Sequence, residues 1–337
     1  MIPRIPGETP RDLSRPLEAI ALQVDADRDG QRLDVVLASY LPWRSRTSVC
    51  RLIDDGLVEV EAGRARPSLR MRKGDVVRVR VPQPPEPVEL VPTDIDVPIL
   101  YQDRWMIAVD KPAGMAVHPA GRRLGGTLIH WLHGCFRSDD PARDVVPRLL
   151  HRIDRETSGV VAVGLEPEFQ GQVGRQFEDR EVQKTYLAVV HGCPSPGEGK
   201  IEFGIGPDRR SRVRLKLEAR RDGTGQHATT SYRVLRGNAD YSLVELKPRT
   251  GRTHQLRVHM SALGHPLVGD KIYGPDEGIF LEHLDGELSD ESRARLVLDR
   301  HALHAWRLSF HHPFLERSLE LEAPLPADMA SLVGQGE

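Results

Sequence analysis

The nine residues HRIDRETSG, which begin at His151, place a carboxylate between two guanidinium groups just ahead of an apolar run. Asp154 follows Arg152 at a spacing of two and is followed directly by Arg155. A carboxylate beside a guanidinium stays ionised at neutral pH, which suits a nucleophile or a base acting on an anionic substrate. If the segment is extended, Arg152 and Asp154 share one face and His151 lies on the other, which favours a structural role for His151. The alternative is an ordinary ion pair, which is commoner than a catalytic one.

Length and composition predict a soluble chain of two or more domains. The chain has 337 residues, and 39% of them are hydrophobic, enough for a real core. Its cysteines, Cys50, Cys135 and Cys193, lie far apart without the spacing of a zinc site, so we expect no disulfide framework and a reducing compartment. The first residues lack the apolar core of a signal peptide, and no apolar run has membrane-spanning length. We therefore expect a cytoplasmic protein that does not contact membranes.

Charge is segregated along a chain whose formal net charge is only −2. Residues 28–80 hold twelve Lys and Arg against seven Asp and Glu, and residues 209–221 are also strongly basic. Acidic residues collect between 276 and 299. Such segregation permits a local phosphate-binding surface on a nearly neutral molecule. For each basic cluster taken alone, a solvated surface is the alternative interpretation.

The first eighty residues predict a small α+β domain behind a loose tail. Residues 1–20 are rich in Pro and Arg and show no periodicity, which predicts a flexible tail. Apolar residues across 33–41 recur at helical spacing, and Ser45 is a candidate N-cap for a second helix. Short strands at 57–60 and 76–81 complete the pattern.

This order of elements resembles the αL RNA-binding module shared by a small-subunit ribosomal protein and tyrosyl-tRNA synthetase. The matching runs are QRLDVVLASYLPWRSRTSVCRLIDDGLVEV and KGDVVRV. The resemblance implies an RNA-binding domain at 21–82, with basic contacts on its second helix from Arg44, Arg46 and Arg51. A generic α+β subdomain is the alternative. Residues 83–97 are rich in proline and predict a stiff linker.

Beyond the linker, residues 98–330 predict one larger α+β domain. A helix that carries Phe169 and Phe177 is expected to end near Arg180, and Thr253 is a candidate N-cap for a later helix that Gly264 terminates. Strands are predicted at 99–101, 106–109, 160–165, 184–190, 229–235 and 241–246, the last two forming a hairpin.

Four runs of this domain resemble the RluA-type pseudouridine synthases, which isomerise uridine in RNA. In chain order they are DKPAG, HRIDRETSG, QKTYLAVVHG and RTGRTHQLRVHMSALGHPLVGDKIYG. The resemblance implies a mixed, mainly antiparallel sheet flanked by helices, in the α+β class, and a reaction that needs no cofactor. Ile153 replaces a leucine that is usual in the family. The acidic stretch 275–299 is longer than expected, which leaves the choice of substrate open.

The resemblance assigns the reaction to three residues. Asp154 is the essential carboxylate, Tyr186 stacks against the target uracil, and Arg257 pairs with the carboxylate through two parallel hydrogen bonds. A carboxylate can attack the anomeric carbon of the ribose, or it can remove a sugar proton to give a glycal. The sequence leaves both routes open.

Further residues are assigned to the substrate. Arg152 fills the gap left by the flipped nucleotide, since a planar guanidinium can stack and form hydrogen bonds at once. Arg252 lies in a glycine-containing loop that leads into a helix N-terminus, a setting suited to phosphate. The substrate-binding set is Arg152, Arg155, Thr157, Arg252, Leu256 and Val258, and Arg209 and Arg210 are added as RNA contacts.

The sequence therefore predicts an RNA pseudouridine synthase, an isomerase that acts as a monomer, with large-subunit ribosomal RNA favoured over tRNA as its partner. No metal is expected, because the histidines at 301, 304, 311 and 312 lack ligand spacing. A non-catalytic RNA-binding protein on the same fold would share basic surfaces and salt-dependent affinity. It would not need Asp154, Tyr186 and Arg257 together. A base-flipping hydrolase or deaminase would need a zinc signature or a second acid.

Overall fold

The structure, a computed structural model, describes residues 19–41, 46–61, 63–80, 96–118, 126–138, 140, 144–213, 215–285 and 288–334. The described residues form two compact units, one that ends at residue 80 and one that begins at residue 96. Every helix within these ranges is too short or too polar to cross a lipid bilayer.

The first unit is a three-stranded antiparallel sheet with two α-helices and a short 3-10 helix at Ala26–Arg28. Its elements are β1 (Ala19–Gln23), α1 (Leu33–Tyr40), α2 (Arg46–Asp54), β2 (Val58–Val60) and β3 (Val76–Arg80). Strand β3 lies between β1 and β2 and pairs antiparallel with both. Leu37, Leu52 and Val77 come from the two helices and the sheet and share one core.

The predicted order of helix, helix and strand in this unit is confirmed. The predicted extent of the tail, residues 1–20, is wrong at its end, because strand β1 begins at Ala19. Its residues alternate Ala with Ile and Leu, so the contrast between its two faces is too weak to indicate a strand. The candidate cap Ser45 and most of the predicted linker lie outside the described residues.

The second unit is built on a sheet of eleven strands. The strands are β4 (Ile99–Gln102), β5 (Met106–Lys111), β6 (Arg148–Leu149), β7 (Ser158–Gly164), β8 (Gln183–His191), β9 (Glu198–Pro207), β10 (Leu217–Arg220), β11 (Gln226–Gly237), β12 (Tyr241–Pro248), β13 (Leu303–His312) and β14 (Arg317–Glu322). The helices are α3 (Leu128–Phe136), α4 (Pro167–Glu178), α5 (Gln255–Ala262), α6 (Gly278–Asp285), α7 (Asp290–Leu296) and α8 (Ala327–Val333).

The strand order is β10-β9-β11-β12-β8-β13-β7-β5-β4, with β14 paired to β13 and β6 paired to β7. Strand β13 pairs in parallel with β7 and antiparallel with β8 and β14. The predicted hairpin is confirmed as β11 and β12, both longer than their periodic runs. The mixed, mainly antiparallel sheet flanked by helices confirms the predicted α+β class. Because β13 comes late in the chain yet lies between β7 and β8, it brings two distant segments together.

Strand β7 is buried along its whole length. Val160 and Ala162 pack with Phe169 of α4, whereas Val161 and Val163 pack with Leu128 and its neighbours in α3. A strand covered on both faces is expected to be a continuous apolar run, which is how the sequence reads here. The helices therefore fix the strand that directly follows the HRIDRETSG segment.

Strand β7 begins two residues earlier than the apolar run predicts, because Ser158 and Gly159 pair with β13. Gly159 has φ +111°, and a Cβ atom at this position would lie 2.3 Å from the carbonyl oxygen of Ala305. Only glycine allows the two backbones to approach this closely. The close approach holds the segment before β7 against β13.

Candidate active site

A cavity of about 370 Å³ lies where the segment before β7, strand β8 and the loop between β12 and α5 meet. Its volume falls in the range of roughly 300–1,000 Å³ typical of small-molecule sites. The segment and β8 are neighbours through β13, and β12 pairs with β8 on its other edge. The predicted residues that line it are Arg152, Asp154, Thr157, Tyr186, Arg252, Leu256 and Arg257.

Arg257 joins two carboxylates. Its Nη1 donates a hydrogen bond to Oδ2 of Asp154 at 3.2 Å. Its Nε and Nη2 donate to Oδ2 and Oδ1 of Asp270 at 2.7 and 2.8 Å. The expected two-bond pairing of Arg257 with Asp154 is therefore wrong, because Asp270 takes the guanidinium fork. Asp270 is buried and needs both bonds, whereas the side chain of Asp154 is 36% exposed.

The Arg257–Asp270 pair is charged and fixed. Burial alone would raise the pKa of Asp270, but the charge and hydrogen bonds of Arg257 outweigh burial and hold it well below its ordinary value. Burial acts against the charge of Arg257 too, but Asp270 holds the pKa of the guanidinium above its ordinary value. The backbone N–H groups of Ile272 and Tyr273 also donate to Asp270, each at 3.0 Å. One guanidinium nitrogen is thus held in place toward Asp154.

The segment that carries Asp154 is tied to the loop after α5 through Glu156. Oε1 of Glu156 accepts a hydrogen bond from Lys271 Nζ at 2.9 Å, and Oε2 accepts one from the backbone N–H of His301 at 3.3 Å. The hydroxyl of Thr157 lies 2.8 Å from Nε2 of His301. Burial lowers the pKa of His301 well below its ordinary value, so this contact involves a neutral ring. Thr157 is therefore buried in a network that positions Asp154.

Two of the four histidines near the C-terminus, His301 and His304, belong to such networks. His301 contacts Thr157, and Nδ1 of His304 lies 2.9 Å from the hydroxyl of Ser158. In the ranges that the structure describes, no three His, Cys, Asp or Glu side chains are grouped as metal ligands. These side chains fix β13 to the start of β7.

Lys111 holds the same segment from β5. Its Nζ donates hydrogen bonds to the carbonyl oxygens of Pro112, Met115 and Arg155 at 2.7, 2.8 and 3.2 Å. The side chain is fully buried, and burial lowers the pKa of Lys111 to about 7. The sequence marks Lys111 only as part of the DKPAG run, because periodicity does not show which carbonyls a lysine reaches.

We expect the buried ammonium to make stability depend on pH. The unfolded chain keeps the proton of Lys111 up to about pH 10.5, whereas the folded chain releases it near pH 7. The folded state therefore gains stability as the pH rises through this window, on the order of 1 kcal/mol per pH unit, and loses it as the pH falls toward 7. Urea unfolding at pH 7 and 9.5 should show this gain in the unaltered protein and not in Lys111→Met. Parallel profiles would contradict the assignment.

Tyr186 faces the cavity from the middle of β8. Burial, and next the charge of Asp154, raise the pKa of its hydroxyl far above the ordinary value. The hydroxyl therefore stays protonated at neutral pH and can donate a hydrogen bond. Its ring is partly buried beside Leu246 and Leu303, which fixes the plane that it offers to a ligand.

His254 is a cavity residue that the sequence does not mark. Its Nε2 lies 4.0 Å from Oδ2 of Asp154, and its Nδ1 lies 2.8 Å from the hydroxyl of Tyr273. Burial, and next the charge of Arg257, lower its pKa. The residue has φ +55° and precedes α5, so Thr253 is not the N-cap and that prediction is wrong.

The loop into α5 is held by the side chain of Gln255 instead. Its Oε1 accepts hydrogen bonds from the Thr250 hydroxyl at 2.7 Å and the Arg252 backbone N–H at 3.0 Å. Its Nε2 donates to the carbonyl oxygen of Thr229 at 2.9 Å. The predicted end of the helix is confirmed, since Gly264 follows α5 with φ +92°.

Two predicted substrate residues lie away from the cavity. Val258 packs with Ile205 and Tyr273 in a separate apolar cluster, because residues two apart on a helix point to nearly opposite sides and Leu256 takes the cavity side. The guanidinium of Arg155 lies 3.6 Å from Glu156, and only its backbone carbonyl joins the Lys111 network.

The predicted RNA contacts belong to both units. Arg209 and Arg210 are exposed between β9 and β10, where Arg210 pairs with Glu218 at 2.9 Å. In the first unit Arg51 is exposed on the last turn of α2. Arg44 and the side chain of Arg46 lie outside the described residues.

Comparison with known proteins gives consistent matches. A family model described as RNA pseudouridylate synthase matches residues 105–262, and an S4 domain model matches residues 31–77. An uncharacterized RNA pseudouridine synthase of Bacillus subtilis is 36% identical over 318 residues, which cover 94% of this chain and 98% of that protein. Ribosomal large subunit pseudouridine synthase D of Neisseria meningitidis is 38% identical over 316 residues, 93% and 81% of the two chains. The solved structure of human RNA pseudouridylate synthase domain containing 1 matches with a TM-score of 0.56 and 30% identity, over 73% and 89%.

The synthase family model on the α+β unit, together with the S4 domain model before it, defines an enzyme that acts on RNA. The chain belongs to the RluA-type RNA pseudouridine synthase family and is an isomerase of RNA uridines. The resemblance found in the sequence is confirmed.

Proposed function

We propose that this enzyme converts specific uridines of large-subunit ribosomal RNA into pseudouridine, with Asp154 acting on the ribose of an extruded nucleotide. One observation carries the proposal: Asp154 and Tyr186 line one cavity in which Arg257 donates a hydrogen bond to the Asp154 carboxylate at 3.2 Å. These three residues lie far apart in the sequence, and the arrangement places a carboxylate beside an aromatic ring.

In this proposal each cavity residue has a separate role. Arg257, itself fixed by Asp270, keeps the Asp154 carboxylate oriented toward the sugar. Attack at the anomeric carbon and removal of a sugar proton would both be carried out by that carboxylate. Tyr186 supports the detached uracil with its ring while its protonated hydroxyl donates a hydrogen bond. Arg152, exposed at the cavity, occupies the space that the extruded nucleotide leaves in the RNA.

The target is inferred from the relatives. The similar enzyme of Neisseria meningitidis is named for the large ribosomal subunit, as is one of Zymomonas mobilis that is 35% identical over 307 residues. A chain with an S4 domain is suited to structured RNA, to which Arg51, Arg209 and Arg210 would add phosphate contacts. We assign RNA docking to residues 21–82, a linker to 83–97 and catalysis to 98–330, in a monomer that works in the cytoplasm.

The decisive experiment maps pseudouridines across total cellular RNA with and without the gene. We expect one or a few sites in large-subunit ribosomal RNA to vanish, and to return with the unaltered gene but not with Asp154→Asn. Loss of sites in tRNA alone would replace the proposed target while keeping the reaction. Restoration by Asp154→Asn, or an unchanged map, would refute the proposal.

A further inference from the structure

A second, larger cavity of about 740 Å³ adjoins the candidate active site. The end of α4, the first residues of β8 and the loop after β12 form its walls, and it shares Phe177, Lys184 and Arg252 with the first cavity. We call this second cavity the basic groove. Its charged lining consists of the five cations Arg180, Lys184, Lys247, Arg249 and Arg252 and the two acids Glu178 and Glu181.

Lys184 lies where the basic groove meets the active-site cavity. It precedes Tyr186 by two residues on β8, so the two side chains share a face and start about 7 Å apart along the strand. Its Nζ is 5.8 Å from the centre of the Phe177 ring, and a Cβ atom on Gly251 would lie 3.7 Å from it. Lys184 is therefore surrounded by an aromatic ring and a loop backbone, and burial lowers its pKa.

Its ammonium differs from the other buried cations of the unit. Lys111 donates to three carbonyl oxygens, Lys271 pairs with Glu156, and Arg257 pairs with two carboxylates. Throughout the described residues, no hydrogen bond or ion pair involves Nζ of Lys184. A half-buried charge with an aromatic contact but no hydrogen-bond or ion-pair partner costs folding free energy unless an anion from outside completes the site.

We propose that the basic groove binds the sugar–phosphate backbone of the RNA strand beside the target uridine, and that Lys184 contacts the phosphate next to the extruded nucleotide. This inference rests on the proposed function, since it places the uracil at Tyr186. A nucleotide whose base lies against Tyr186 has its own backbone within reach of Lys184, two residues away. Arg249 and Arg252 then continue the phosphate track along the groove.

The first test measures binding of a fluorescein-labelled single-stranded uridine decamer over a series of salt concentrations. We expect Lys184→Met to weaken binding about tenfold at low salt, as for a lost charge-assisted hydrogen bond. The slope of log affinity against log salt should flatten by about 0.7, the value for one phosphate contact on a single strand. The matched control is Lys200→Met, since Lys200 is an exposed strand lysine that pairs with Glu202 at 2.7 Å. Equal slopes in Lys184→Met and the unaltered protein would overturn the proposal.

Thermal unfolding separates ligand binding from a structural role. Because Lys184 loses no hydrogen bond or ion pair within the described residues, and methionine can keep the contact with the Phe177 ring, Lys184→Met should keep or raise the unfolding midpoint. A lowered midpoint would assign Lys184 to the fold and overturn the proposal. A poly-glutamate peptide of equal charge should compete with the decamer less strongly than RNA does. If the peptide competes as strongly as RNA, the groove binds acidic protein segments and the proposal is overturned.

Asp154→Asn keeps this test distinct from the test of the reaction. That variant should bind the decamer with an unchanged salt slope while it makes no product. If Asp154→Asn is active but Lys184→Met still flattens the slope, the assigned mechanism fails and the groove stands. If Asp154→Asn is inactive but the salt slope of Lys184→Met equals that of the unaltered protein, only the proposal for the basic groove is overturned.

Discussion

Asp154→Asn should reduce pseudouridine formation by at least about 10³-fold, the scale seen when an essential catalytic group is removed. An amide can neither attack the anomeric carbon nor accept a sugar proton, so this substitution blocks both possible routes. RNA affinity should stay within about threefold, because an exposed contact of one residue contributes little to binding. Mass spectrometry of a ribosomal RNA transcript and the decamer binding assay measure the two quantities separately.

The fold should tolerate this substitution. Within the described residues, the partly exposed side chain of Asp154 accepts one hydrogen bond, from Arg257, and the guanidinium keeps its fork on Asp270. Asp299→Asn is the matched control, since Asp299 has a side chain 84% exposed and only a distant ion pair at 3.9 Å. Turnover in Asp154→Asn at the level of this control would remove Asp154 from the reaction.

The sequence indicates the charged and aromatic side chains of the cavity better than it indicates their arrangement. Asp154, Tyr186 and Arg257 each lie in a run with local chemical character, which needs no knowledge of the fold. Their meeting depends on the insertion of β13 between β7 and β8, a strand that comes more than a hundred residues after both. Hydrophobic periodicity predicts where strands run, but it carries no information on which strands pair.

The residues that sequence reasoning misses act through long-range pairing or unusual backbone geometry. Asp270 follows the run PLVG, and nothing in that run indicates that its carboxylate pairs with Arg257. The sequence gives Lys184 no mark that separates it from a surface lysine, because it does not show that the side chain is half-buried and, among the described residues, has no hydrogen bond or ion pair. His254 adopts φ +55°, which is uncommon outside glycine and which a pattern of helix formers cannot indicate. Such strained positions concentrate at functional sites.

Asp270→Asn is the second substitution with a large expected effect, although Asp270 does not line the active-site cavity. The amide would turn an N–H group toward a guanidinium nitrogen, so the fork on Arg257 breaks and a buried cation loses its main partner. We expect the free energy of unfolding to fall by about 3–5 kcal/mol. The turnover number should fall about 10²-fold, because a shift of the Arg257 side chain by about 1 Å misplaces Asp154. RNA affinity should not change, which identifies Asp270 as a positioning residue.

The control for Asp270→Asn is Asp276→Asn. Asp276 also accepts a backbone hydrogen bond, from Gly278 at 2.8 Å, and pairs with an arginine, Arg295, at 3.3 Å, but it is exposed and lies apart from Arg257. Turnover measured well below the unfolding midpoint separates misplacement from unfolding. A turnover number for Asp270→Asn equal to that of Asp276→Asn would show that Arg257 is oriented without Asp270.

The pH dependence of stability gives an independent check on the same pair. Because the folded protein holds the pKa of Asp270 below the ordinary value of 3.8, the pair stabilises the fold at every pH above that value. This contribution is lost as the pH falls below 3.8 toward the lowered pKa, when the unfolded chain binds a proton that the folded chain does not. The Asp270→Asn variant should not show this loss of stability below pH 3.8, whereas Asp276→Asn should still show it. Loss of this contribution in Asp270→Asn, and its retention in Asp276→Asn, would show that the buried Asp270 is ionised beside Arg257 in the folded protein.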